Sequence, residues 1–323
     1  MLNLKIGADF NGNGFTKEQL FERFILEKHS INLAPKTIQG YTTGWTTFLK
    51  YEKHINKYIP LNEINADLLS KYRLFLIEHT NAGEVTRATY LKDLRTILRS
   101  FMTDGFLEPF QVIIPKYSTP IQETYSIEEL EKLLKKPSMK KGQFNFSIYR
   151  TWVMICYIID TTNRADTVLG VKIKDIDFVG NKITLRRVKS KKPYTTPMSS
   201  FLKQILQEYL AIRKGEPNDY LFCGYRGDRL EYDGFRSALV RYNRSRGVEK
   251  TGIHALRHTA AKLFILKGGR EFALMELLGH SDLTMSKHYV RLFSDDLNIG
   301  FDDKCGLSNF TEYLQEKKKI TKY

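Results

Sequence analysis

The chain of 323 residues is short of several things, and each shortage narrows what it can be. It has three cysteines, Cys156, Cys223 and Cys305, far apart and odd in number. A disulfide framework is excluded, and reduced thiols in a cytoplasmic protein are the simple reading. No run of about 18 apolar residues occurs, so no helical membrane span is expected. The first residues, MLNLKIGADFNGNGF, lack a charged head followed by an apolar stretch, so they are not expected to act as a secretory signal. Acids are scarce against bases, 36 to 51, giving a net charge of +15. That imbalance points to a polyanionic partner, with nucleic acid first.

What is present is unevenly placed. Residues 1–110 account for only +2 of the net charge. Residues 182–203 carry Lys182, Arg186, Arg187, Lys189, Lys191, Lys192 and Lys203 with no acid among them. A solvated basic face is the bland account of such a run. The hydrophobic fraction, 42%, is that of a globular protein, and the length suits two domains, each with its own core.

The first 110 residues read as helical. TKEQLFERFILEKHS has an apolar stripe at Leu20, Phe21, Phe24, Ile25 and Leu26, with Thr16 at the N-cap. Pro35 opens a second helix at a first-turn position. NADLLSKYRLFLIEHTN and EVTRATYLKDLRTILRSFMTDG supply two more, the last stopped by Gly105. Short loops predict a compact four-helix unit over residues 15–110, preceded by an N-terminal extension, 1–14. LEPFQVIIPKYSTPIQET, with three prolines, predicts an interdomain linker over 111–124. A second domain is expected over 125–300. Ser126 and Glu129 form a capping-box pattern at its start, and FSIYRTWVMICYIIDTT reads as a buried helix. KIKDIDFVGNKITLRRVKSKKPYTTPM predicts a small antiparallel sheet, broken at Gly180-Asn181 and at the lysine stretch. From Ser199 to about residue 297 the pattern reads helical. The tail, 301–323, reads as a short amphipathic helix with Phe310, Tyr313 and Leu314 on its apolar side.

The chemistry gathers near the end. In HALRHTAAKLFILKGG, His254 and Arg257 are three apart and share a helix face, with His258 close by. His280 follows Arg257 by 23 residues, and Tyr289 follows His280 by nine, inside LLGHSDLTMSKHYVRL. Such groups can grip an anion, relay a proton and present a hydroxyl that attacks. Zinc is the rival chemistry for His254, His258 and His280. No acid or cysteine stands at ligand spacing, and the arginine beside them repels a cation. His258, His288 and Lys287 have ready structural or surface roles, and the glycines of LKGGREF mark a turn.

H-x-L-R-H-T, then L-G-H-S, then a tyrosine nine residues on, resembles the C-terminal signature of the tyrosine recombinases, the phage-integrase family. The resemblance covers about residues 15–297. It implies a mainly α fold with a small antiparallel sheet, made of a helical SAM-like core-binding domain and an α+β catalytic domain. It also implies a site-specific recombinase that breaks and rejoins duplex DNA through a 3′-phosphotyrosine, with no metal and no cofactor.

Carried onto this chain, the resemblance makes Tyr289 the nucleophile, Arg164 and Arg257 the phosphate clamp, and His280 a further donor to the phosphate. His254 assists the proton of the tyrosine, and Lys189 protonates the leaving oxygen. Lys189 lies eight residues before Pro197, with Lys191 and Lys192 as alternatives. Arg186, Arg187, Lys191 and Lys192 are expected to contact DNA. The pattern departs around Arg164: the family's glycine two residues earlier is Thr162 here, and its acid three residues later is Thr167, with Asp166 one residue off.

The expected partners are double-stranded DNA with an inverted-repeat core site and three further copies of the chain, as a tetramer, with the tail docking on a neighbouring protomer. An accessory DNA-bending or directionality factor is a further candidate partner. The short lead before the first helix favours a Xer-like or transposon-encoded enzyme over an arm-binding phage integrase. The alternatives are a type IB topoisomerase-like relaxing enzyme and a non-catalytic DNA-binding regulator.

Overall fold

The structure is a computed structural model that describes residues 14–118, 123–140, 142–186, 193–224 and 226–279. The chain divides into two compact units, Met1–Pro120 and Ile121–Tyr323. Among the described residues no helix is long and apolar enough to cross a membrane.

Among the described residues the first unit holds four α-helices, α1 (Lys17–Ser30), α2 (Pro35–His54), α3 (Ala66–Glu78) and α4 (Glu84–Thr103). Thr16 caps α1 with its hydroxyl on the Gln19 amide, and the Gln19 side chain returns the bond to the Thr16 amide. α2 is rich in threonine, a poor helix former. Thr42, Thr43 and Thr47 each turn a hydroxyl back onto the carbonyl four residues earlier, which satisfies it within the helix. α2 and α4 approach closely at Gly44, where a Cβ would come within 2.8 Å of the Asp93 Cβ. α4 ends at Gly105, whose φ of +76° lets Phe106 bond back to the Phe101 carbonyl at 2.9 Å. The core between the helices is aromatic, with Phe24, Trp45, Phe48, Tyr72 and Phe101 buried.

Two features of this unit were not visible in the sequence. Lys17 is fully buried, with Nζ 2.5 Å from Glu52 Oε1 and 2.7 Å from the Ile59 carbonyl. The chain after α4 also stays on this unit to residue 118. Leu107 and Val112 join its core, the Ile113 carbonyl accepts from Arg73 Nη1, and the Tyr117 hydroxyl meets Lys92 Nζ at 2.5 Å.

In the second unit α5 (Ile127–Leu134) carries the complete capping box of Ser126 and Glu129. α6 (Phe146–Thr161) is buried around most of its circumference and forms the spine of the core. A short helix, α7 (Ala165–Val168), leads to an antiparallel sheet of order β1 (Ile176–Asp177), β2 (Lys182–Leu185), β3 (Tyr194–Pro197). The register pairs Ile176 with Ile183, and Ile183 with Thr196. The β1–β2 turn is made by Asp177, whose Oδ1 accepts from the Val179 and Gly180 amides, and by left-handed Asn181. Among the described residues four helices follow: α8 (Ser200–Arg213), α9 (Tyr232–Ser245), α10 (Ile253–Leu266) and α11 (Glu271–Leu278).

The expectation of continuous helix after Ser199 is corrected between α8 and α9. There the chain leaves the helix at Lys214 and returns to the 171–174 segment. The Ile173 amide donates to the Asp219 carbonyl at 3.0 Å and the Leu221 amide to the Val171 carbonyl at 2.8 Å. Residues 280–297 lie outside the described residues, as do the tail and residues 1–13 of the N-terminal extension.

Candidate active site

The site is built at the C-terminal end of α6. Thr162 takes a left-handed conformation, φ +57° and ψ +12°, and stops the helix with its amide on the Ile158 carbonyl. The reversal turns its own carbonyl toward α10. Arg164 follows in extended conformation as the N-cap residue of α7. This explains why glycine suits the position that Thr162 occupies here. The position demands the left-handed region, which costs a β-carbon residue about 1 kcal/mol or more.

Arg257 comes from the second turn of α10 and is buried, 4% exposed. Its Nη1 donates to the Thr162 carbonyl at 2.7 Å and its Nη2 to the Leu278 carbonyl at 2.9 Å. Arg164 Nη1 reaches the same Leu278 carbonyl at 3.3 Å. Two guanidiniums thus converge on one oxygen at the end of α11. The next residue, Gly279, is left-handed, φ +58°, and leads directly into His280. His254 lies one turn before Arg257 on the exposed side of α10, and His258 is half-buried. Thr259 fastens α10 to the start of the unit, its hydroxyl accepting from the Tyr125 amide at 2.8 Å.

The stand-ins for the family's acid separate clearly. Thr167 is buried, 7% exposed, while Asp166 is exposed. Arg186 has a partner of its own: its Nε lies 2.7 Å from Oδ1 of Asp175, a carboxylate whose side chain is 1% exposed. The rest of the Arg186 side chain remains open at 60% exposure. Lys189, His280 and Tyr289 lie outside the described residues, as do Arg187, Lys191 and Lys192.

Sequence reasoning missed two groups. One is Tyr194 with Asn163: the Tyr194 hydroxyl donates to Asn163 Oδ1 at 3.3 Å, beside Arg164. The other is the outer face of α9. Phe235, Ala238, Leu239 and Tyr242 are buried, while Arg236, Arg241 and Arg244 face out. The second was legible as an amphipathic helix with a cationic side. The first had no signal, because it depends on contacts 31 residues apart.

Comparison with known proteins agrees with this architecture. The phage integrase family model matches residues 126–295, and the phage integrase SAM-like domain model matches residues 19–112. The chain therefore belongs to the phage integrase family, the tyrosine recombinases. It is 27% identical over 254 residues to the tyrosine recombinase XerC of Thermodesulfovibrio yellowstonii, covering 74% of this chain and 83% of that protein. It is 27% identical over 267 residues to the tyrosine recombinase XerA of Saccharolobus solfataricus, covering 81% and 84%.

Among solved structures, the Tn1549 transposon integrase in complex with a circular intermediate DNA superposes with a TM-score of 0.67 at 20% identity, covering 85% of this chain and 95% of that one. The XerH site-specific recombinase bound to a palindromic substrate gives 0.66 at 22% identity, covering 87% and 84%. These similarities show the fold: a SAM-like helical domain and an integrase catalytic domain.

Proposed function

We propose that the chain is a site-specific DNA recombinase that cuts and rejoins duplex DNA through a 3′-phosphotyrosine, as a tetramer on paired inverted-repeat core sites. The observation that carries this reading is the convergence of Arg164 and Arg257 on the Leu278 carbonyl, two residues before His280. Backbone carbonyls orient the two side chains, and paired guanidiniums held in this way suit a clamp for a phosphodiester. DNA-bound integrases and a lambda integrase tetramer on a Holliday junction, which share the fold, support the choice of partner and assembly.

The reaction balances within the chain's own groups. The Tyr289 oxygen bonds to phosphorus as the bond to the 5′-oxygen breaks. The phenol proton leaves with the help of His254, and Lys189 supplies a proton to the 5′-oxygen. Phenols titrate near pH 10, so neighbouring cations are needed to make Tyr289 a nucleophile at neutral pH. His280 donates to the phosphate with the arginines. A second strand's 5′-hydroxyl then reverses the steps, so the bond energy is conserved and neither metal nor ATP is used. Arg187, Lys191 and Lys192 contact the DNA backbone, and Arg186, braced by Asp175, does so through its outer nitrogens.

In this reading the helical unit and the catalytic unit both contact the duplex. Residues 301–323 would dock on a neighbouring protomer. A groove of about 870 Å³, lined by Trp152, Cys156, Phe201, Ile205 and Phe264, offers an apolar seat for Phe310, Tyr313 and Leu314 of another copy. Burial pushes the Cys156 thiol in it up to about 12.

The test uses a core site selected from random DNA. A nicked suicide duplex of that site should trap a covalent adduct that disappears in Tyr289→Phe; an adduct that survives ends the reading. Relaxation of any supercoiled plasmid without preference for that site would favour the topoisomerase-like alternative. Site-specific retardation without an adduct would favour a non-catalytic regulator. Deleting residues 305–323 should weaken synapsis more than binding of one copy to DNA.

A further inference from the structure

Three observations meet at Tyr194, the first residue of β3. Its hydroxyl donates to Asn163 Oδ1 at 3.3 Å. Asn163 stands between Thr162, whose carbonyl receives Arg257 Nη1, and Arg164 itself. On its other side the hydroxyl lies against Gly279: a Cβ there would fall 2.6 Å from the phenol oxygen and 2.8 Å from ring Cζ. Gly279 follows Leu278, whose carbonyl receives both arginines. One hydroxyl therefore touches the chain next to each of the two carbonyls that aim the guanidiniums.

The electrostatics agree with this placement. Burial raises the Tyr194 phenol above its ordinary range, although Arg257 and, less strongly, Arg164 pull it down. The group stays a neutral hydroxyl with its proton committed to Asn163. It is thereby set apart from the attacking tyrosine, which must lose its proton.

We infer that Tyr194 is a positioning residue of the strand-cleavage site. It holds the Thr162–Arg164 turn and the Leu278–Gly279 turn at a fixed separation, so that Arg164 and Arg257 share one aim. The inference rests on the reading that these arginines grip the scissile phosphate. Loss of the hydroxyl leaves the ring packed and lets the two turns drift. Cleavage should suffer, while affinity, which sums many phosphate contacts across the duplex, should not. A ring that only fills space beside β3 would make Tyr194→Phe silent.

The experiment is single-turnover cleavage of the suicide duplex by the full chain. One substrate carries the natural phosphate and another a methylphosphonate at the scissile position. The methyl group replaces a charged oxygen, so the neutral diester has less need of the arginines. On the natural phosphate, Tyr194→Phe should cleave roughly 10-fold more slowly than the unaltered chain, with unchanged DNA affinity. On the methylphosphonate the gap should close to within about two-fold. Asn163→Ala should behave in the same way.

Equal rates on the natural phosphate for either variant would overturn the inference, and so would a deficit that persists on the neutral diester. Arg257→Ala on the same two substrates separates this inference from the reading beneath it. If the Arg257→Ala deficit does not shrink on the methylphosphonate, the arginine clamp itself is wrong, whatever Tyr194→Phe does.

Discussion

Each unit of this protein buries a cation, and the two do it differently. In the helical unit the Lys17 ammonium meets a carboxylate, Glu52, at 2.5 Å. In the catalytic unit the terminal nitrogens of Arg257 meet two backbone carbonyls. A carboxylate cancels the charge it orients, and what remains is a staple between α1 and α2. A carbonyl orients a guanidinium without itself adding a negative charge, which suits a cation that is to meet an anion arriving later. On the proposed reading the difference separates a cation used for folding from one used for chemistry, and substitutions can test it from both sides.

The largest effect is expected at the staple. Glu52→Ala leaves Lys17 buried without its carboxylate, and breaking a buried pair from one side costs about 3–5 kcal/mol. Urea unfolding should show that loss. A loss below about 1 kcal/mol would mean that the Ile59 carbonyl alone suffices for Lys17 and that the pair is not a staple.

At the clamp the outcome should reverse, with chemistry lost and fold kept. Arg257→Lys keeps the charge and removes the planar fork that spans two carbonyls. Adduct formation should fall by roughly 10²–10³-fold, the usual cost of one misplaced donor at a transition state. The melting temperature should move by only a few degrees. Near-normal cleavage would show that a point charge is enough and that the two-carbonyl cradle is incidental.

Gly279 joins Leu278, whose carbonyl receives both arginines, to His280, and its replacement should have an intermediate effect. Gly279→Ala adds a Cβ to a left-handed residue, costing about 1–2 kcal/mol, and drives it into the Tyr194 hydroxyl. Combining it with Tyr194→Ala should recover part of the stability, because the clash is removed and the backbone cost is not. Additive losses in the double variant would mean that the 2.6 Å approach is relieved some other way.

How much of this was written in the sequence follows from the range of the interactions. Caps at Thr16 and Ser126, the stop at Gly105 and the Gly180-Asn181 turn are local, and each was legible from a few neighbours. Arg257 was legible because its motif has fixed spacing along the chain, whereas Arg164 came only from the resemblance, across the departures at Thr162 and Thr167. The break after α8 was marked by Gly215, Pro217, Gly224 and Gly227, but what the segment pairs with lies some 45 residues earlier, at Val171 and Ile173. Lys17 reads as one charge on a helix whose partner is 35 residues away. Tyr194 was one aromatic among 18 tyrosines until Asn163 and Gly279 were brought to it.

The smallest predicted effect bears on the odd residue of the cradle. Thr162 contributes its carbonyl to Arg257, and a carbonyl does not depend on the side chain. The side chain is a burden in two ways: it holds a β-carbon residue at φ +57°, and its buried hydroxyl has no hydrogen-bond partner among the described residues. Together these cost about 1–3 kcal/mol. Glycine would remove both, against a loss of about 0.5–1 kcal/mol through the freer unfolded chain. Thr162→Gly should therefore raise the melting temperature by a few degrees and leave adduct formation unchanged. If cleavage falls while stability rises, the threonine methyl or hydroxyl steers Arg257 after all, and the clamp depends on more than backbone carbonyls.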